Sequence, residues 1–182
     1  MGEANPSPIP GALVLDTSFL RTIGGTESDA YQTFVRYVKN EGVKLYLSGG
    51  VVDELTEQRG YLSIDWVDRA DTTEWVTVVG DVQAGVRVHD GPRAGEVMDR
   101  VHERLAKFER TDPDTLRKTD SELPAVGVML LGSTEHDAVG IVMDDRNAER
   151  AISGVIRNTY YEGRIRVIDV WTAIEHMEKR TA

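Results

Sequence analysis

Short apolar runs alternate with amphipathic stretches along nearly the whole chain. Residues 12–16, "ALVLD", are continuously apolar up to Asp16, which predicts a strand buried on both faces. In "DAYQTFVRYVKN" (29–40), Tyr31, Phe34, Val35 and Val38 recur at helical spacing, and "NEG" ends the helix. "VKLYLS" (43–48) reads as a second strand, and "GGVVDELTEQ" (49–58) as a helix with Val51, Val52 and Leu55 on its apolar face. Further on, "YLSIDWVDRA" (61–70) has a helical pattern, "EWVTVVG" (74–80) that of a strand, and the Gly-rich "DVQAGVRVHDGPRAG" that of a loop. Val97, Met98, Val101, Leu105 and Phe108 predict one long helix over 96–110. A second helix, apolar at Leu123, Val126, Met129 and Leu130, leads into a strand at 137–143. A helix at 147–160, a strand at 164–170 and a closing helix at "WTAIEHMEKR" follow.

Parallel neighbours need crossover connections, so strands that alternate with helices predict an α/β fold, a Rossmann-like parallel sheet with helices on both faces. The doubly apolar strand at 12–16 is expected at its centre, with those at 43–48 and 137–143 on either side. The three prolines of residues 1–10 suggest a flexible leader, and 11–182 a single domain.

In an open α/β sheet, functional groups gather where the carboxyl ends of the strands meet the following loops. Asp16 ends the first strand, and Asp144 and Asp145 follow "GIVM" at the end of another. Asp120 begins the helix that leads into that strand. Glu54 lies on the helix after the second strand, closer to the apolar stripe than Asp53 at 100° per residue. Each position also has an ordinary structural role open to it. Asp16 suits a turn or helix cap, Thr119 and Glu122 fit a T-x-x-E capping box around Asp120, and Asp144-Asp145-Arg146-Asn147 suits a strand-to-helix turn. Together, however, they put like charges into a small space, an arrangement that a hard divalent cation relieves. Magnesium takes one or two carboxylates directly and keeps several waters.

Composition narrows the chemistry. The absence of cysteine excludes disulfides, thiolate metal sites and a cysteine nucleophile. The histidines, His89, His102, His136 and His176, show no metal-ligand spacing. Asp16 lacks the second aspartate two residues on that an aspartyl-nucleophile phosphatase requires, and neither a P-loop nor a nucleophile elbow is present. Trp66, Trp75 and Trp171 read as core or half-buried anchors rather than base-stacking platforms. No apolar run approaches the ~18 residues of a membrane span, and the first ten residues do not read as a signal peptide, so a cytoplasmic protein with no membrane partner is expected. The net charge of −10 disfavours nucleic acid at first sight. Yet 5 lysines against 16 arginines and 16 aspartates is the balance of proteins that stay soluble in concentrated salt. There screening acts within ~3 Å at 1 M, and a local arginine cluster can still engage phosphate.

The array "VLDTS" at 14–18, "VVDEL" at 51–55, "KTDSEL" at 118–123 and "VMDDRNA" at 142–148 resembles the PIN-domain nucleases, in a halophilic archaeal variant, from Ala12 to about Ala173. The resemblance implies an acidic cluster that binds Mg2+ or Mn2+ and cleaves RNA. Asp16, Glu54 and Asp120 would be its first three acids, and Asp144 or Asp145 the fourth, Asp144 being nearer the strand. Thr17 and Ser18 would be supporting hydroxyls, and Lys118, Arg146 and Arg150 phosphate contacts. Short toxin-like members are smaller, which makes about 71–115 a helical insertion. The partners implied are an RNA substrate and, for a toxin, an antitoxin-like protein; a homodimer is left open. The other function open to this fold is a non-catalytic scaffold that binds RNA or a protein.

Overall fold

The computed structural model describes residues 7–57, 73–133 and 135–182. Five parallel strands form one sheet: β1 (Ala12–Leu15), β2 (Lys44–Leu47), β3 (Val76–Val78), β4 (Val139–Met143) and β5 (Ile165–Asp169). Their order is β3-β2-β1-β4-β5. Strand β1 is therefore central, as its unbroken apolarity requires, and all four of its residues are inaccessible to solvent. Its register pairs Leu13 with Leu45 on one side and with Gly140 on the other.

Seven helices are described: α1 (Thr17–Ile23), α2 (Asp29–Glu41), α3 (Gly49–Glu57), α4 (Ala94–Glu109), α5 (Thr119–Gly132), α6 (Arg146–Ile156) and α7 (Val170–Thr181). Helices α1, α2 and α7 pack on one another, as do α4, α5 and α6, and the sheet runs between the two groups. Phe19 of α1 meets Phe34 of α2 edge to face at 5.1 Å, a favourable aromatic geometry.

The pattern of apolar positions located most elements to within a few residues. The helix expected over 147–160 ends at Ile156, and the strand expected from 137 begins at Val139. The helix expected at 61–70 lies outside the described residues. Helix α1 was not anticipated as an element: "TSFLRTI" is only seven residues long, and its apolar positions Phe19, Leu20 and Ile23 span too few turns to show a period. The capping box at Thr119 does not form. Thr119 is already helical, Lys118 occupies the cap position without a side-chain bond, and the Glu122 carboxylate accepts instead from the backbone N–H of Gly50, 3.0 Å away on α3. A charged acceptor at a helix N-terminus gains from the helix dipole, which outweighs the local box.

His102 ties the α4–α5 side together. It is buried, with Nε2 2.7 Å from the Pro113 carbonyl and Nδ1 3.1 Å from the hydroxyl of fully buried Ser121. A carbonyl only accepts, so Nε2 carries the donated proton. His102→Leu removes the partner of the buried Ser121 hydroxyl, while the exposed Pro113 carbonyl keeps the Leu116 N–H. The expected loss is about 1–3 kcal/mol of unfolding free energy, read as a lower urea midpoint at unchanged slope.

Candidate active site at the carboxyl edge of the sheet

Where β1 ends, the chain turns into α1, and Asp16 caps that helix by accepting from the Ser18 backbone N–H at 3.3 Å. The Ser18 hydroxyl also donates to Asp16, at 2.5 Å, and lies 3.3 Å from the Asp144 backbone N–H, so Ser18 links the ends of β1 and β4. Next to it, the Thr17 hydroxyl donates to Glu54 Oε2 at 2.6 Å, fixing α3 to the same edge. The Asp16 backbone N–H itself bonds the Val142 carbonyl at 3.1 Å. Two hydroxyls that follow the first strand thus hold carboxylates from two elements.

Asp16 is 8% exposed, and burial raises its pKa. The Ser18 bonds oppose that rise, while the nearby charge of Glu54 adds to it. Glu54 is half-buried where Asp53 is exposed. Asp120, half-buried at the start of α5, is pushed up to about 7, first by burial and then by the charges of Asp16, Asp145, Glu54 and Glu109. Asp145 also caps α6, with Oδ1 accepting from Asn147 and Ala148 at 2.8 and 3.0 Å, while Asp144 is exposed.

The structure therefore groups Asp16, Glu54, Asp120 and Asp145, from the β1 end, α3, α5 and the β4 end. Lys118 joins Glu54 in an open cleft of about 300 Å³ that is also lined by Asp53, Arg117 and Glu122. Arg146 is exposed at the first position of α6, and Arg150 stacks 4.5 Å over the Phe108 ring of α4. Sequence reasoning missed Glu122 and Gly50. A Cβ on Gly50 would stand 2.6 Å from Glu122 Oε2 and 3.1 Å from the Thr119 hydroxyl, so a side chain here would displace the Glu122 carboxylate from the Gly50 N–H. No local signal announces a contact between residues 72 positions apart. A larger cavity, about 720 Å³, opens at the opposite, amino-terminal edge between β4 and β5. Its arginines, Arg164 and Arg166, are matched by Asp137 and Glu162, and none of the four grouped acids lines it.

A family model, the halobacterial PIN domain, matches residues 10–182. The chain belongs to this family. PIN domains are in general nucleases that use divalent metals, so the coarse chemistry of this PIN domain is hydrolysis of nucleic acid. A search of the curated proteins finds no match. Among the described residues, no helix is long and apolar enough to cross a membrane.

The donor set is all oxygen, the type a hard cation takes, and one member, Asp120, is raised toward neutral pH first by burial and then by its neighbours' charge. Among the described residues, no three acidic or histidine side chains are drawn tightly around one point.

A pKa raised from the usual carboxylate value of 3.8 to about 7 means that the native state binds the Asp120 proton more tightly than the unfolded chain does. The stabilisation from that proton is complete below about pH 4 and disappears as pH rises through about 7. With EDTA present, Asp120→Asn should flatten this fall and stabilise the protein at pH 8 by roughly 1–2 kcal/mol. Thermal unfolding at pH 5 and pH 8 checks it, with a gain of a few degrees expected only at the higher pH.

Proposed function

We propose that this PIN domain is a metal-dependent endoribonuclease that hydrolyses RNA phosphodiester bonds at the carboxyl edge of its sheet. One observation supports the reading: Asp120, raised first by burial, also feels the charges of Asp16, Asp145 and Glu54 from separate elements, and Asp16 and Glu54 are held by the adjacent hydroxyls of Ser18 and Thr17. A cap or a solvated surface charge has no need of that arrangement, whereas a cation does.

Asp16, Glu54, Asp120 and Asp145 would hold Mg2+ or Mn2+. Bound there, the ion would supply a water acidified toward neutrality and a positive charge beside the leaving oxygen. The chain's own part is positioning. Ser18 fixes the Asp16 carboxylate by bonding one of its oxygens through both its N–H and its hydroxyl. Thr17 does the same for Glu54 through a single bond. Asp120 gives up its residual proton when a cation arrives, so binding is coupled to proton release. Lys118, Arg146 and Arg150 bring positive charge to an edge that would otherwise repel a phosphate chain.

The test compares wild type with Asp16→Asn on single-stranded and looped RNA in molar KCl, with Mg2+ or Mn2+ and with folding followed by circular dichroism. Asn keeps the shape and the acceptor for Ser18 but loses the charge. Cleavage should fall by at least about a thousandfold, as when a group acting only on the reacting centre is removed. The expected products carry 5′-phosphate and 3′-hydroxyl ends. A well-folded wild type inert with both metals, or equal activity in the two proteins, assigns the domain to a scaffold role instead.

A further inference from the structure

We infer that the seam between α4 and α6 is a track for the phosphate backbone of single-stranded RNA, leading away from the acidic edge; this rests on the nuclease reading above. Arg100, Arg104 and Lys107 recur at i, i+4 and i+7 on the exposed side of α4, Arg146 and Arg150 are one turn apart on α6, and exposed Arg157 follows at its C-terminal cap. The two rows face each other. Phe108 lies under Arg150 at 4.5 Å, and Arg104 donates to the Gly154 carbonyl at 3.4 Å, so the helices run antiparallel across the seam. A Cβ on Gly154 would stand 2.9 Å from the Arg104 guanidinium carbon, so a side chain there would push the guanidinium aside.

Acids outnumber bases 31 to 21 in this chain, yet none of these six cations belongs to an ion pair among the described residues. The exposed carboxylates on these helices are Glu96, Asp99, Glu103 and Glu109 on α4 and Glu149 on α6, and none is paired with a cation of the two rows. Arg150 is held flat by a ring face and Arg104 by a backbone carbonyl; both are neutral partners that leave N–H donors free for the paired oxygens of a phosphate. The row on α6 begins one residue after Asp145 and extends about 16 Å to Arg157. A flexible anionic polymer lying on it would therefore reach the acids. Five of the six cations are arginine, the side chain that binds phosphate by geometry at contact range, which is the range that persists when salt screens charge within ~3 Å.

The experiment measures binding by fluorescence anisotropy in EDTA, using full-length Asp16→Asn protein and a short and a long fluorescein-labelled oligouridylate over a range of KCl. Adding Arg104→Gln and Arg157→Gln should weaken binding of the long RNA roughly tenfold. It should also lower the slope of log Kd on log salt by about 1.4, two phosphate contacts on a single strand. The short RNA should lose less than about twofold. Arg104→Lys with Arg157→Lys, which keeps the charge but not the fork, should recover less than half of the lost affinity. Unchanged binding of the long RNA by the Gln variant, with circular dichroism and Tm as in the parent, overturns the track. So does equal affinity for polyglutamate. If the long RNA binds through the stripe but wild type cleaves nothing with either metal, the nuclease reading fails and the track stands; if wild type cleaves but binding is indifferent to the Gln variant, the track fails and the nuclease reading stands.

Discussion

A carboxylate at the end of a fully buried strand must be solvated by its own protein, and Asp16 meets that demand with the two residues that follow it. The Ser18 N–H and hydroxyl stand in for water, and the same turn sends the Thr17 hydroxyl to Glu54. Solvating one acid therefore positions a second, and the Asp144 N–H against Ser18 brings the end of β4 to the same place. The edge is assembled around this hydroxyl pair, and Asp120 beside it is raised by its own burial first and by the charges of Asp16, Asp145 and Glu54 after that.

The sheet order was legible because burial on both faces leaves an unmistakable mark: a strand with no polar position, as at 12–15, has nowhere to lie but the middle. The candidate acids stood out for a related reason, since each stands where an apolar run stops or borders the core. Distance from the strand favoured Asp144 over Asp145; the structure leaves Asp144 exposed and uses Asp145 to cap α6, a local geometry that strand position does not encode. The contact between Glu122 and Gly50 was hidden for a different reason. The T-x-x-E pattern is a true local preference, but a helix N-terminus on another element offered a better partner, and a tertiary contact of that kind leaves no periodic trace.

Arginine content that first looks like a detail of solubility takes on a structural meaning at the α4–α6 seam. Among the described residues, the ion pairs join side chains elsewhere, such as Lys44 with Glu135 and Arg180 with Glu41, all at or near the surface, where such pairs stabilise little. The guanidiniums of the seam rest instead on a ring and a carbonyl. Neutral supports order a cation without cancelling it.

Helices α3 and α5, which carry Glu54 and Asp120, meet through residues that are neither of those acids: a glycine N–H and the carboxylate of Glu122. The join between the two helices is therefore made by an acid outside the candidate set. Glu122 binds backbone where a count of carboxylates would enrol it as one more ligand, so tallying acids along the sequence measures charge and not the number of groups left for a cation.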